Sequence, residues 1–241
     1  MTPVRSLVFL LGLAAGPALA HLAASAAPAP PPISDVQALT RSCDGGSLAD
    51  CNALGVVYQT GRGVAVDFGR AFQLYTRACD SGNAAGCANL GILYKNGQGV
   101  AVDIGRAADL YRRACDGGDA WGCNNLGVFY QEGTGVAADM GRALQLYTRA
   151  CDGNIAGGCS NLGALYQDGN GVAADLGRAR QLFTRGCDRG DAWGCNKLGA
   201  LYENGRGVAA NPGRAAEYYG RACRLDETIR EDCSRYRSFS G

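Results

Sequence analysis

RACDGGDAWGCNNLG, residues 113–127, holds two cysteines eight positions apart, Cys115 and Cys123. Cysteines so spaced can be metal ligands, a redox pair or a staple between two elements. The stretch is one instance of a repeat. Cysteines stand at 43, 79, 115, 151, 187 and 223, and a second series at 51, 87, 123, 159 and 195, both stepping by 36. Cys233 falls two residues later than this period predicts and completes the twelve cysteines of the 241-residue chain. Leu-Gly at 54–55, 90–91, 126–127, 162–163 and 198–199 keeps the register, followed by Tyr58, Tyr94, Tyr130, Tyr166 and Tyr202. Gly-x-Gly-Val and Gly-Arg-Ala then recur, as in Gly133–Val136 and Gly141–Ala143. Five units result, at 47–82, 83–118, 119–154, 155–190 and 191–226. A period of this size decides the fold class before any local reading does.

Each unit reads as two helices. Over Ala120–Glu132, Cys123, Leu126 and Tyr130 fall at helical spacings, and Gly133-Thr134-Gly135 stops the run because glycine tolerates positive φ. Asp139 reads as the N-cap of a second helix from Met140 to about Cys151. In the last unit Asn211-Pro212 sets a cap residue before a proline at the first helical position. Ala143, Leu146, Tyr147 and Ala150 form an apolar stripe, and the recurrent Gly and Ala let neighbouring helices approach closely. Helix pairs repeating every 36 residues stack into an all-α solenoid. Residues 35–46 resemble the second half of a repeat and are expected to cap one end; residues 227–241, with Cys233, are expected to cap the other.

The flanks point to export. Residues 1–20 combine a short basic start, an apolar run and Ala18-Leu19-Ala20 before His21, the pattern of a cleaved signal peptide. A second possible cut lies near Ala27, and the apolar run is too short to span a bilayer comfortably. Residues 21–34 are Pro- and Ala-rich and read as an extended tether. The chain carries 23 Lys and Arg against 22 Asp and Glu. Removing residues 1–20 takes away Arg5 alone and balances the charge, so nothing favours nucleic acid or an anionic membrane as partner. Twelve cysteines in an exported chain favour disulfides.

The pattern A-x-x-C-x-x-L-G-x-x-Y-x-x-G-x-G-V-x-x-D-x-G-R-A-x-x-L-Y-x-R-A-C, complete at Ala120–Cys151, resembles the Sel1-like repeat, a relative of the tetratricopeptide repeat. With paired cysteines and an export signal it is most similar to the Helicobacter cysteine-rich proteins. The resemblance covers about Cys43 to Cys233 and implies a right-handed superhelix of stapled helix pairs.

A zinc site wants close-spaced Cys or His knuckles, and a dithiol redox site wants C-x-x-C; the repeats hold neither C-x-x-C nor histidine. No metal or cofactor is expected. For staples, Cys123 can pair back to Cys115 or forward to Cys151. The short pairing uses every cysteine: Cys43–Cys51, Cys79–Cys87, Cys115–Cys123, Cys151–Cys159, Cys187–Cys195 and Cys223–Cys233. The longer one orphans Cys43 and Cys233. Counting favours the short pairing, which the resemblance also implies.

Catalytic constellations are absent from the pattern. The sole histidine, His21, flanks the signal cut, and neither Lys95 nor Lys197 has a serine three positions before it, as a serine β-lactamase requires. Paired carboxylates such as Glu132 and Asp168 are ordinary on solenoid surfaces. The resemblance nevertheless implies an association with penicillin binding or weak β-lactamase activity, kept as the alternative function. The expectation favoured by the residues is a monomeric scaffold that binds a protein or peptide in its concave groove. By the tetratricopeptide alignment, the groove-facing position before Leu-Gly is Ala53, Asn89, Asn125, Asn161 and Lys197, and amides there would hold a peptide backbone. Neighbouring candidates are Trp121, Trp193, Asn124, Asn196, Gln131, Gln167 and Glu203. Asparagine can equally cap a helix, and tryptophan can equally pack on its disulfide. Arg70, Arg106, Arg142, Arg178 and Arg214, each three residues after a cap, are expected to pair locally.

Overall fold

The computed structural model describes residues 33–226 together with Ser234. The expected signal peptide at 1–20, the tether as far as residue 32, and the C-terminal cap apart from Ser234 lie outside the described residues. Among the described residues there are eleven helices and no strand: α1 Ile33–Asp44, α2 Leu48–Thr60, α3 Phe68–Asp80, α4 Ala84–Asn96, α5 Ile104–Asp116, α6 Ala120–Glu132, α7 Met140–Asp152, α8 Ala156–Asp168, α9 Leu176–Asp188, α10 Ala192–Asn204 and α11 Pro212–Leu225. The chain is an all-α solenoid, with α1 packed on α2 ahead of five helix pairs.

Local chemistry sets the helix ends. The carboxylates of Asp67, Asp103, Asp139 and Asp175 and the amide of Asn211 accept from the backbone N–H three residues on, capping α3, α5, α7, α9 and α11. Ser47, Asn83, Asp119 and Asp191 do the same for α2, α4, α6 and α10, whereas Ile155 leaves α8 without a side-chain cap. The two glycines of each loop have different tasks. Gly133 is a left-handed C-cap, at φ 70°, whose N–H returns to the Phe129 carbonyl. Gly135, at φ 69°, lies against the preceding unit: a Cβ there would stand 2.8 Å from both Ile104 Cγ2 and its carbonyl oxygen. The loop is therefore a contact between repeats as well as a connection within one.

The glycine of each Leu-Gly seats an aromatic ring. A Cβ on Gly127 would meet Tyr147 Cε1 at 2.7 Å, and Gly55 and Gly91 are pressed just as closely by Tyr75 and Tyr111. Tyr75, Tyr111, Phe183 and Tyr219 are 0% exposed and Tyr147 1%, so each unit centres on one fully buried ring. Truncating such a ring costs about 3–5 kcal/mol.

Two devices join successive units. Disulfides Cys43–Cys51, Cys79–Cys87, Cys115–Cys123, Cys151–Cys159 and Cys187–Cys195 link the last turn of one unit to the first helix of the next, with Cα atoms 4.4–4.6 Å apart. Cys223 is also disulfide-bonded, and Cys233, its expected partner, lies outside the described residues. At these junctions Gly86, Gly122 and Gly158 admit the Ala78, Ala114 and Ala150 methyls, which a Cβ would meet at 2.5–2.7 Å. The second device is an arginine hook. Arg113, Arg149, Arg185 and Arg221 donate to the carbonyls of Cys79, Cys115, Cys151 and Cys187, one unit back. They also pair with Asp80, Asp116, Asp152 and Asp188, at 2.9–3.8 Å. A cation thus meets the orphan carbonyls at the C-terminal end of the preceding unit's helix, where the helix dipole favours it.

Candidate functional site

The first helices of successive units run along one side of the array: α2 touches α4, α4 touches α6, and α8 touches α10. Side chains link them directly. Asn89 Nδ2 donates to Asn52 Oδ1 at 2.8 Å, joining α4 to α2, and Asn161 Nδ2 donates to Asn124 Oδ1 at 3.1 Å, joining α8 to α6. Each amide pair spends one donor and one acceptor, and an amide offers two donors and an oxygen with two lone pairs. Asn52 carries no mark in the repeat alignment, because its column reads Asn52, Ala88, Asn124, Ser160 and Asn196.

The remaining candidates divide by environment. Asn125 is buried, 7% exposed, and its Nδ2 donates to the Trp121 carbonyl of its own helix. Trp121 itself is half-buried. Gln131 and Glu203 serve as acceptors for the buried tyrosines: Tyr147 donates to Gln131 Oε1 at 2.7 Å and Tyr219 to Glu203 Oε2 at 2.6 Å. Tyr75 and Gln59 make the same pair in the first unit. Where the ring is Phe183 there is no hydroxyl to accept, and Gln167 instead donates to Asp168. Trp193 packs edge-on against Phe183, with Lys197 Nζ 5.2 Å above its ring. Asn196 is half-buried and has a partner of its own.

The five recurrent arginines do pair locally, over the tyrosines that keep the repeat register, a pairing their spacing from the caps did not suggest. Arg70, Arg106, Arg142, Arg178 and Arg214 each lie over the ring of the Leu-Gly-x-x-Tyr tyrosine twelve residues earlier, at 4.6–5.4 Å from its centroid. Arg70 and Arg142 also pair with their caps, Asp67 and Asp139. The guanidinium stays in solvent, so each stack orients the arginine over the ring more than it adds stability. Burial pushes the Tyr202 phenol up, but hydrogen bonds from Arg214 and Arg180 outweigh it and hold the group below its usual value. The signal lay in the constant spacing of twelve between Tyr and Arg. Among the described residues no three His, Cys, Asp or Glu side chains group to hold a metal.

Stapled helix pairs in a linear array, each centred on a ring seated on glycine, make a solenoid repeat scaffold, a class that presents extended surface to other proteins. The chain belongs to the Sel1 repeat family, which matches it at residues 49–83, 84–119, 122–155, 156–191 and 194–227. Among solved structures it is similar to a Sel1 repeat protein from Oxalobacter formigenes: 30% identity over 74% of this chain and 71% of that one, TM-score 0.69. It is also similar to a protective antigen of uropathogenic Escherichia coli with an SLR fold, at 30% identity over 78% of this chain and TM-score 0.70. It spans 40% of that antigen's length. Helicobacter pylori cysteine rich protein B is 31% identical over 55% of this chain and 96% of its own, with a TM-score of 0.45. None of the curated proteins compared matches the chain.

Five disulfides among the described residues mark an oxidising environment, periplasmic or extracellular. No helix among them is long and apolar enough to cross a membrane.

Proposed function

We propose that the protein is an exported Sel1 scaffold whose first-helix face binds an extended segment of another protein. The observation that supports this most is the pair of amide bridges, Asn52–Asn89 and Asn124–Asn161, on adjacent first helices. Amides keep both donors and acceptors after pairing, and an extended peptide backbone presents both at regular intervals. Trp121 on α6 and Trp193 on α10, both half-buried on first helices, add apolar area at low entropic cost. Asn125, buried and donating within α6, contributes shape rather than hydrogen bonds. Export rests on the signal-like residues 1–20 together with the disulfides. No constellation among the described residues supports the β-lactam-directed alternative.

The test is selection of a randomised dodecapeptide display library on the oxidised protein, followed by measurement of each selected peptide against Asn89→Ala and Asn161→Ala. Loss of about one hydrogen bond per variant predicts weakening of roughly threefold to tenfold. Affinities unchanged in both variants, or no peptide recovered from the wild-type protein, refute the assignment of this face.

A further inference from the structure

Among the described residues, one buried tyrosine hydroxyl lacks an acceptor. Tyr111 is 0% exposed, and its Oη has no hydrogen-bond partner among the described residues. Its ring lies on Gly91 as its counterparts lie on Gly55 and Gly127, which carries the hydroxyl toward the last turn of α4. In three sister units that turn supplies an oxygen sixteen residues before the tyrosine: Gln59, Gln131 or Glu203. In the second unit the same position is Lys95, which has donors only. Lys95 is half-buried and forms no ion pair among the described residues. A lysine can donate to the phenol oxygen, but the phenol proton still needs an acceptor. Native structures rarely leave such a group unsatisfied without reason.

We propose that Lys95 and Tyr111 form a carboxylate-binding subsite on the first-helix face, completed by an acidic group of the bound partner. One carboxylate oxygen takes the place that the Gln131 oxygen holds in the third unit and accepts from the Tyr111 hydroxyl. The other accepts from the Lys95 ammonium, whose flexible stem swings aside to admit the ligand. Both interactions involve a charged group, the stronger kind of hydrogen bond. Desolvation of the surrounding apolar wall, in which Phe129 packs edge-on against the Tyr111 ring, strengthens them further. The subsite selects an anion with two oxygens over the neutral amide that the sister units carry within the chain. It deepens the peptide-binding reading above by giving the partner an acidic residue or a free C-terminus opposite the second unit.

The chain contains only two lysines, Lys95 and Lys197, so the subsite can be watched directly. The disulfide-bonded protein, labelled with 13C and 15N in lysine, is titrated by NMR with N-acetylglycine, which carries a C-terminal carboxylate. A second titration uses the α-amide of N-acetylglutamic acid, which carries only a side-chain carboxylate, and a third uses N-acetylglycinamide, which carries none. The expected result is a saturable shift of the Lys95 signal with one or both acids, none with the amide, and no saturable shift at Lys197. The stronger acid identifies a chain terminus or an acidic side chain as the source. Tyr111→Phe should weaken the response about tenfold while leaving the melting temperature unchanged or higher, because it removes an unsatisfied hydroxyl. Equal shifts at the two lysines, no saturation, or an unaltered response in Tyr111→Phe overturns the subsite. Because the probes are not peptides, that failure leaves the amide-bridge reading standing. Conversely, loss of peptide selection with an intact Lys95 titration would sink the groove and spare the subsite.

Discussion

Replacing Cys115 and Cys123 together with alanine removes one staple from the middle of the array and leaves the helices on either side intact. The bond closes a loop of eight residues between α5 and α6. Chain entropy for a loop of that length gives about 2.5 kcal/mol at 25 °C. Because units touch only their neighbours in a solenoid, the loss falls on one junction. For a folded region of this size 1 kcal/mol moves the midpoint by about 2–4 °C, so the double variant should melt about 5–10 °C below the oxidised wild type. Alanine is the right replacement because both cysteines are buried, at 0% and 2% exposed, and serine would add unsatisfied hydroxyls. Thermal unfolding by far-UV circular dichroism measures the midpoint, and hydrogen exchange locates the weakness, expected at the α5–α6 junction. The corresponding pair at Cys43–Cys51 ties only α1 to the array, so its removal should fray that end with a smaller shift. A central double variant that melts within about 1 °C of wild type, with unaltered exchange at the junction, would refute the view that the staples carry the stability of glycine-rich helices.

Gly135→Ala should cost about 2–4 kcal/mol in urea titrations, since it adds left-handed strain and a clash with Ile104. Gly118→Ala, at φ 89° in open space, should cost only the strain, about 1–2 kcal/mol; equal losses would disprove the contact between loop and preceding unit. Phe183→Tyr restores the hydroxyl found in the other four units, opposite Gln167, and should stabilise by about 0.5–1.5 kcal/mol. A lower melting temperature would mean that the fourth unit has no room for the pair. Burial raises the phenols of Tyr75, Tyr111 and Tyr147 well above the ordinary value of 10.0. Their folded values exceed the unfolded ones, so the stability they contribute is fully present below about pH 10 and is lost as pH rises beyond it. Absorbance at 295 nm should therefore show these tyrosines ionising only together with loss of helical signal; smooth titration of every tyrosine in a folded protein would contradict their burial.

The fold was legible because the residues that repeat are the ones that set backbone and spacing. Cysteine at a step of 36, glycine where a ring must sit or a helix must stop, and aspartate or asparagine at the second-helix cap each act locally, and each recurs in all five units. Side-chain partners were harder to see because they join positions 12, 16 or 34 residues apart. Gln131 read as a groove amide because nothing local to it shows that Tyr147, seated on Gly127, delivers a hydroxyl to its oxygen. The arginine hooks were invisible for the same reason: Arg149 meets the Cys115 carbonyl only after the two units have stacked. Yet the units form a comparison set within one chain. Tyrosine stands opposite an acceptor three times, phenylalanine stands opposite a glutamine released to Asp168, and Tyr111 alone stands opposite a lysine. In a repeat protein the shared residues explain why the array holds together. The departure at Tyr111, which leaves a buried phenol without an acceptor, has a stability cost that packing does not explain, and that is where a ligand has the most to supply.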